Sequence, residues 1–272
     1  QILGNGIISH FYGARGCHMA VTGSNDPNDC FVDFDRLAEN DKDYLQHLRN
    51  NIDNAKRLKK PIWGTTELHT SIQAASRNYC RKKYDDANRL FHPVDVVDWV
   101  ASFRDNGTYE ELFAADHIGQ AYKILRKLPG IGEYYGFHGA ASTSVLPQMK
   151  YYHDDKFVAP GPGAVYTIGL MWPKAPKKYY AEAIYFLREN SDEIGLTEDV
   201  SFHPGAYNID MPGGKKLFRE DQKTLKYYGT EVLSCQFGIY LQIREDAKMC
   251  AKRQVSRATV LEDQNTLESF MQ

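Results

Sequence analysis

Four consecutive polar residues, His153, Asp154, Asp155 and Lys156, form the densest group of charged and proton-handling side chains near the middle of this chain. A histidine beside carboxylates can accept a proton from an amine nucleophile at neutral pH. Two adjacent aspartates can also hold Mg²⁺ together with a diphosphate, which makes Mg²⁺ the one cofactor the sequence suggests. The same four residues read equally as a solvated loop. Just downstream stands Gly161-Pro162-Gly163-Ala164. Glycines at 161 and 163 permit close approach of backbone to a ligand, and their N–H groups can form an anion-binding nest. A rigid turn entering a helix is the other reading of that segment. Upstream lies Leu128-Pro129-Gly130-Ile131-Gly132, a turn with the residues needed to reverse the chain tightly.

The elements around these residues must position them. Pro129 cannot donate a backbone hydrogen bond, so the helix before it ends near Lys127. Gly130 and Gly132 can take the positive φ values that a tight reversal requires, and Glu133 starts a new helix with an acidic residue in its first turn. The start of that helix is suited to holding a phosphate. Candidate phosphate or nucleic-acid contacts are therefore Lys127, Gly130, Ile131 and Gly132 at the hairpin, and Gly161, Gly163, Ala164 and Lys174 after it. Between residues 121 and 188 there are nine Lys/Arg against four Asp/Glu, a basic island in a chain whose net charge is −2. The island supports phosphate contact there. His138, inside the second helix, reads as a packing residue or a neighbour of the phosphate.

Leu128-Pro-Gly-Ile-Gly132 resembles the helix-hairpin-helix of the DNA glycosylase superfamily, in which the hairpin grips a DNA backbone phosphate. Phe157-Val-Ala-Pro-Gly-Pro-Gly-Ala164 narrows the likeness. It resembles the GPGA motif of the α-glutamyl/putrescinyl thymine pyrophosphorylase-like branch, associated with hypermodified thymines in bacteriophage DNA, whose relatives accompany 5-hydroxymethyluracil DNA kinases. The likeness covers at most residues 110 to 245. It implies DNA as partner and an amine or amino acid as co-substrate, which would displace pyrophosphate from an activated 5-hydroxymethyluracil. Lyase-active glycosylases carry a lysine two residues past the hairpin; Tyr134 stands there, and a phenol cannot form an imine. The essential aspartate of glycosylases falls either on Asp154 or Asp155, or on the GPGA segment, where it is lost. The second alignment is preferred, which favours the transferase. A base-excising glycosylase and a catalytically inert binder of modified DNA are the alternatives.

The chain has 272 residues, 42% of them hydrophobic and 25% charged, which is ordinary for a globular protein with a sizeable core. Five scattered cysteines without a CxxC pair imply reduced thiols and an intracellular setting, and argue against structural zinc or an iron–sulfur cluster. No metal site made of protein ligands alone is expected. No run is apolar enough to span a bilayer, so the expectation is a soluble protein without a membrane partner, in the host cytoplasm if phage-encoded. No Gly-Lys-Ser/Thr occurs, which removes a Walker-type nucleotide loop.

The expected fold is mainly α: a helix-hairpin-helix, glycosylase-like helical domain with an N-terminal helical extension. Residues 1–60 read as loop-rich, then helical. Ile7-Ile8 and Met19–Val21 are candidate strands or docking segments, and a continuous helix runs over 35–58. Residues 61–255 form the helical domain around the hairpin, with Thr65-Thr66-Glu67 as a cap and 197–215 as a loop. Residues 256–272 form a tail. His92 and His203 each precede a proline and read as structural. The basic stretch Arg77–Lys83 either complements a helix dipole or faces DNA.

Overall fold

The computed structural model describes residues 2–12, 15–26, 30–60, 62, 70–152, 155–190 and 227–245. Among them every regular element is a helix and there is no strand. In chain order the helices are α1 (Ile2–Tyr12), α2 (Arg15–Thr22), α3 (Phe34–Ala38), α4 (Lys42–Arg57), α5 (Thr70–Lys83) and α6 (Val94–Asp105). There follow α7 (Thr108–Ala114), α8 (Ile118–Arg126), α9 (Glu133–Ser144), α10 (Pro162–Met171), α11 (Tyr180–Glu189) and α12 (Tyr227–Glu245). No helix among the described residues is long and apolar enough to cross a membrane. The Thr65–Glu67 cap, the 197–215 loop, His203 and the 256–272 tail lie outside the described residues.

Two stretches differ from the sequence reading. The glycine-rich N-terminal segment forms helices, not strands or loop. Leu3 and Ile7, one turn apart, are buried with Ile8. Gly4 is required by packing: a Cβ there would stand 2.7 Å from the Phe34 ring. Asn5, buried on the same helix, donates to the Val32 carbonyl at 2.8 Å and accepts from its N–H at 2.9 Å, which ties the 30–33 segment to α1. The single helix expected over 35–58 is broken in two. Asn40 takes a left-handed φ of 56°, and Asp41 caps α4 by accepting from Tyr44 N–H at 2.8 Å. A cap and a left-handed residue end one helix and begin the next more firmly than apolar spacing can join them.

Helices α5 and α6 are locked by buried ions. Asp95 accepts from Arg89 Nη2 at 2.7 Å and from His92 N–H at 3.0 Å. Asp98 accepts from Lys83 Nζ and Tyr84 OH, both at 2.8 Å. Arg81 donates to the Arg89 carbonyl at 2.9 Å. Two cations of the basic stretch thus hold the turn that joins these helices. His92 accepts from Val94 N–H and pairs with Asp53 at 3.1 Å, a structural role as its proline neighbour suggested. One hydrophobic cluster runs from Leu3 through Trp99, Phe103 and Phe137 to Cys235. Within it α9 packs on α1 and α8, and α10 packs on α12.

Candidate functional site

The hairpin is built by α8, a turn of six residues (127–132) and α9. Leu128 N–H bonds the Leu125 carbonyl at 3.0 Å and Ile131 N–H bonds Leu128 at 3.2 Å, which winds the chain out of α8. Leu128 and Ile131 are buried and anchor the turn, while Pro129 and Gly132 are exposed. The two glycines do different work. Gly130 has φ +82° and lies against α5, where a Cβ would sit 2.5 Å from the Ser71 carbonyl oxygen. Ser71 Oγ donates to the Gly130 carbonyl at 2.8 Å. Gly132 does not use the positive φ open to it: its φ is −81°, and open space surrounds the place of its Cβ. It begins α9 as an N-cap without a side chain of its own, and the dipole there favours an anion. Lys127 is exposed and pairs with Glu111 at 2.6 Å.

Of the polar tetrad, His153 and Asp154 lie outside the described residues. Asp155 accepts from Ile118 N–H at 2.9 Å and from Tyr152 N–H at 3.2 Å. It therefore secures the start of α8, whereas the hairpin leaves the other end, about 13 Å away at 1.5 Å per residue. Lys156 is exposed, forms an ion pair with Glu189 and lies 5.5 Å from the centre of the Tyr185 ring. Tyr227 OH also donates to Glu189, at 3.2 Å. The hydrogen bond that Lys156 donates to Glu189 holds its ammonium above its ordinary range. The structure thus clamps this loop to α11 and α12 and does not bring Asp155 to the hairpin. Lys174 is exposed beyond the last turn of α10, at the opposite end of that helix from Gly161. Asp155→Asn should cost about 1 kcal/mol through weakened charge-assisted bonds, seen as a melting temperature lower by about 2–4 °C.

The GPGA segment begins α10, with Gly161 before the helix and Pro162 as its first residue, where a missing N–H costs nothing. Gly161 N–H donates to Glu231 Oε1 at 2.8 Å. Glu231 is fully buried, and its Oε2 stands 3.4 Å from His138 Nε2, with the His138 side chain 8% exposed. The positive end of the α10 dipole and this histidine face the carboxylate together. Tyr134, half-buried in the first turn of α9, packs against His138 with ring centres 4.3 Å apart and planes tilted by 38°. The same ring would lie 3.1 Å from a Cβ on Gly161. Gly163 is a crossing point rather than an open nest, because its Cβ would be 2.4 Å from the Cys235 carbonyl oxygen. Ala164 is buried. Burial, with Glu231 nearby, pushes the Cys235 thiol up.

Two glycine helix starts therefore meet at Tyr134. One is filled by a buried carboxylate, and the other lies at the surface. Glu231 was missed in the sequence because a single acid in an apolar helix drew no notice. Its spacing held the signal: Glu231, Cys235 and Gly238 recur every three or four residues and share the face turned to α10. Asp155, Gly161 and Glu231 lie on three separate segments, of which only the last two are in contact.

Residues 38–212 match the family model described as "5-hmdU DNA kinase, helical domain". The matched span includes the hairpin, Tyr134, His138 and the GPGA segment, and ends before α12. No curated protein and no solved structure matches the chain.

Proposed function

Because this chain belongs to the 5-hmdU DNA kinase helical-domain family, we propose that it is the DNA-engaging helical part of an enzyme that modifies 5-hydroxymethyluracil in DNA. The observation that carries the reading is the exposed glycine start of α9 within the matched residues. Its backbone dipoles suit a phosphate and carry no sequence preference, which fits a protein that must recognise one modified base in any context. Tyr134 and Tyr135 follow in the same turn, half-buried and edge-to-face with ring centres 5.4 Å apart, and place aromatic side chains next to the phosphate position.

The chemistry we assign is displacement of pyrophosphate from an activated 5-hydroxymethyluracil by an amine. Support for it comes from the GPGA segment and from the helix-hairpin-helix likeness to thymine-hypermodifying proteins. Tyr134 at the position of the lyase lysine speaks against imine chemistry.

Gly132→Asp tests the DNA grip directly. Aspartate is a good residue before a helix, and Gly132 has room for it, so folding is unharmed while a carboxylate enters the phosphate position. Affinity for DNA, read by fluorescence anisotropy, should fall about tenfold or more, equivalent to about 1.4 kcal/mol, with the melting temperature unchanged or raised. Equal binding by wild type and variant would remove the hairpin from the interface. The chemistry is tested by mass spectrometry of nucleosides after incubation with DNA carrying pyrophosphorylated hydroxymethyluracil and a pool of amines. An amine-bearing base is expected. Release of free base would mark a glycosylase, and unchanged nucleosides with salt-sensitive binding would mark a recognition module.

A further inference from the structure

We infer that the elbow between α10 and α11 is a second DNA-contact surface, one that holds unpaired strand; it rests on the DNA-engaging reading above and not on the transfer chemistry. Helix α10 ends at Met171 and α11 starts at Tyr180, with a single 3₁₀ turn at Lys177–Tyr179 between them. Pro173 and Pro176 cannot donate backbone hydrogen bonds and keep the two helices from joining. The elbow is folded all the same. Ala175 N–H bonds the Trp172 carbonyl and Tyr179 N–H bonds the Pro176 carbonyl, both at 3.0 Å. Buried Tyr180 anchors it, and a Cβ on Gly169 would stand 3.2 Å from the Tyr180 hydroxyl. On this frame Lys174, Lys177 and Lys178 are all exposed, and among the described residues none of the three forms an ion pair. Lys127, Lys150 and Lys156 are by contrast each paired with an acid. From residue 170 to 188 there are four Lys/Arg and one Asp/Glu, so the elbow's charge is left for a partner to balance.

Aromatic side chains stand among these cations. Tyr179 and Phe186, seven residues apart and so on one face, are 49% and 53% exposed. Lys178 Nζ lies 4.8 Å from the centre of the Tyr179 ring, and Trp172 meets Phe186 edge-on with ring centres 6.3 Å apart. Exposed rings interleaved with unpaired cations suit a partner that is both polyanionic and flat-faced. A single strand is such a partner: its phosphates meet the lysines and its bases lie on the rings. A duplex offers the phosphates but keeps its base faces stacked away from a protein surface. A second copy of this chain is a poor occupant, since a two-fold contact would set these lysines against their own copies. Gly161 adjoins Tyr134 beside the hairpin. The elbow is at the other end of α10, about 15 Å along the helix at 1.5 Å per residue, and so meets a different part of the strand.

The experiment measures binding of the full chain to labelled oligothymidylate and to a labelled duplex by fluorescence anisotropy over a range of salt. Lys174→Gln/Lys177→Gln/Lys178→Gln should weaken single-strand binding about tenfold or more. It should also reduce the slope of log affinity against log salt by about 2, at about 0.7 per phosphate contact. Tyr179→Ala/Phe186→Ala should weaken single-strand binding about fivefold or more, the low end for one lost base stack. Its salt slope should stay as in wild type, and its duplex binding should change little. All five side chains are exposed, so melting temperatures should hold. If wild type binds DNA and both variants bind oligothymidylate as it does, the elbow is overturned and the hairpin reading, tested by Gly132→Asp, stands. Equal loss of single strand and duplex in the aromatic variant would overturn the choice of unpaired strand. Variants that bind oligothymidylate normally but lose phosphatidylglycerol vesicles, or change oligomeric state, would assign the elbow to a membrane or a protein instead. If wild type binds neither DNA, the DNA-engaging reading fails and the elbow's role fails with it.

Discussion

Gly238→Ala is expected to destabilise the protein by about 3 kcal/mol or more, the upper range for overpacking a tight core. A Cβ at 238 would stand 2.2 Å from the Gly163 carbonyl oxygen and 2.6 Å from Thr167 Oγ1. Neither neighbour can yield readily. The first is helix backbone, and the second donates to the Ser234 carbonyl at 2.7 Å. The two helices must therefore move apart, which also pulls Glu231 from Gly161. A thermal melt should show a loss of about 6–12 °C, at 2–4 °C per kcal/mol for a protein of this size. Gly107→Ala provides the control. Gly107 has φ +79° but nothing near its Cβ, so it carries only backbone strain, roughly 1–2 kcal/mol. Equal losses at the two positions would mean that the α10–α12 crossing is looser than described.

Gly130→Ala is expected to cost about 3 kcal/mol as well, from two sources. Left-handed strain contributes about 1–2 kcal/mol, and the Cβ meets the Ser71 carbonyl at 2.5 Å and Ala75 Cβ at 2.7 Å. Relief requires the hairpin to lift from α5, which breaks the Ser71–Gly130 hydrogen bond. DNA binding should weaken along with stability, in contrast to Gly132→Asp, which separates the two. Ser71→Ala should be mild, about 1 kcal/mol for one hydrogen bond. A Gly130→Ala protein with wild-type melting temperature would show that the hairpin does not rest on α5.

The hairpin was legible in the sequence because its signals are local. Proline, two glycines and an acid after the turn punctuate the backbone within a few residues, and the helices on either side follow from ordinary periodicity. The same local logic misled at the N-terminus, where Gly4 makes room for Phe34 inside a helix instead of marking a turn. It allowed a left-handed conformation at both hairpin glycines, and of the two only Gly130 takes it. The tetrad at 153–156 stood out by composition. Composition cannot tell a carboxylate that secures a helix start, as Asp155 does, from one that meets a ligand. The buried contact of His138 with Glu231 was illegible for a plainer reason: the two become neighbours only after α12 has packed on α10.

That order of assembly distinguishes the two halves of the site. Residues 127–132 close a loop of six residues, whereas the Gly161–Glu231 bond spans 70 positions. Chain statistics assign the longer closure an extra entropic cost of about 2 kcal/mol. The hairpin can therefore form as soon as α8 and α9 have been synthesised, and is ready to meet a phosphate at that stage. The histidine waits for its carboxylate until the ribosome has released residues beyond Gly238. A nascent chain thus completes the exposed hairpin before it completes the buried contact between α10 and α12.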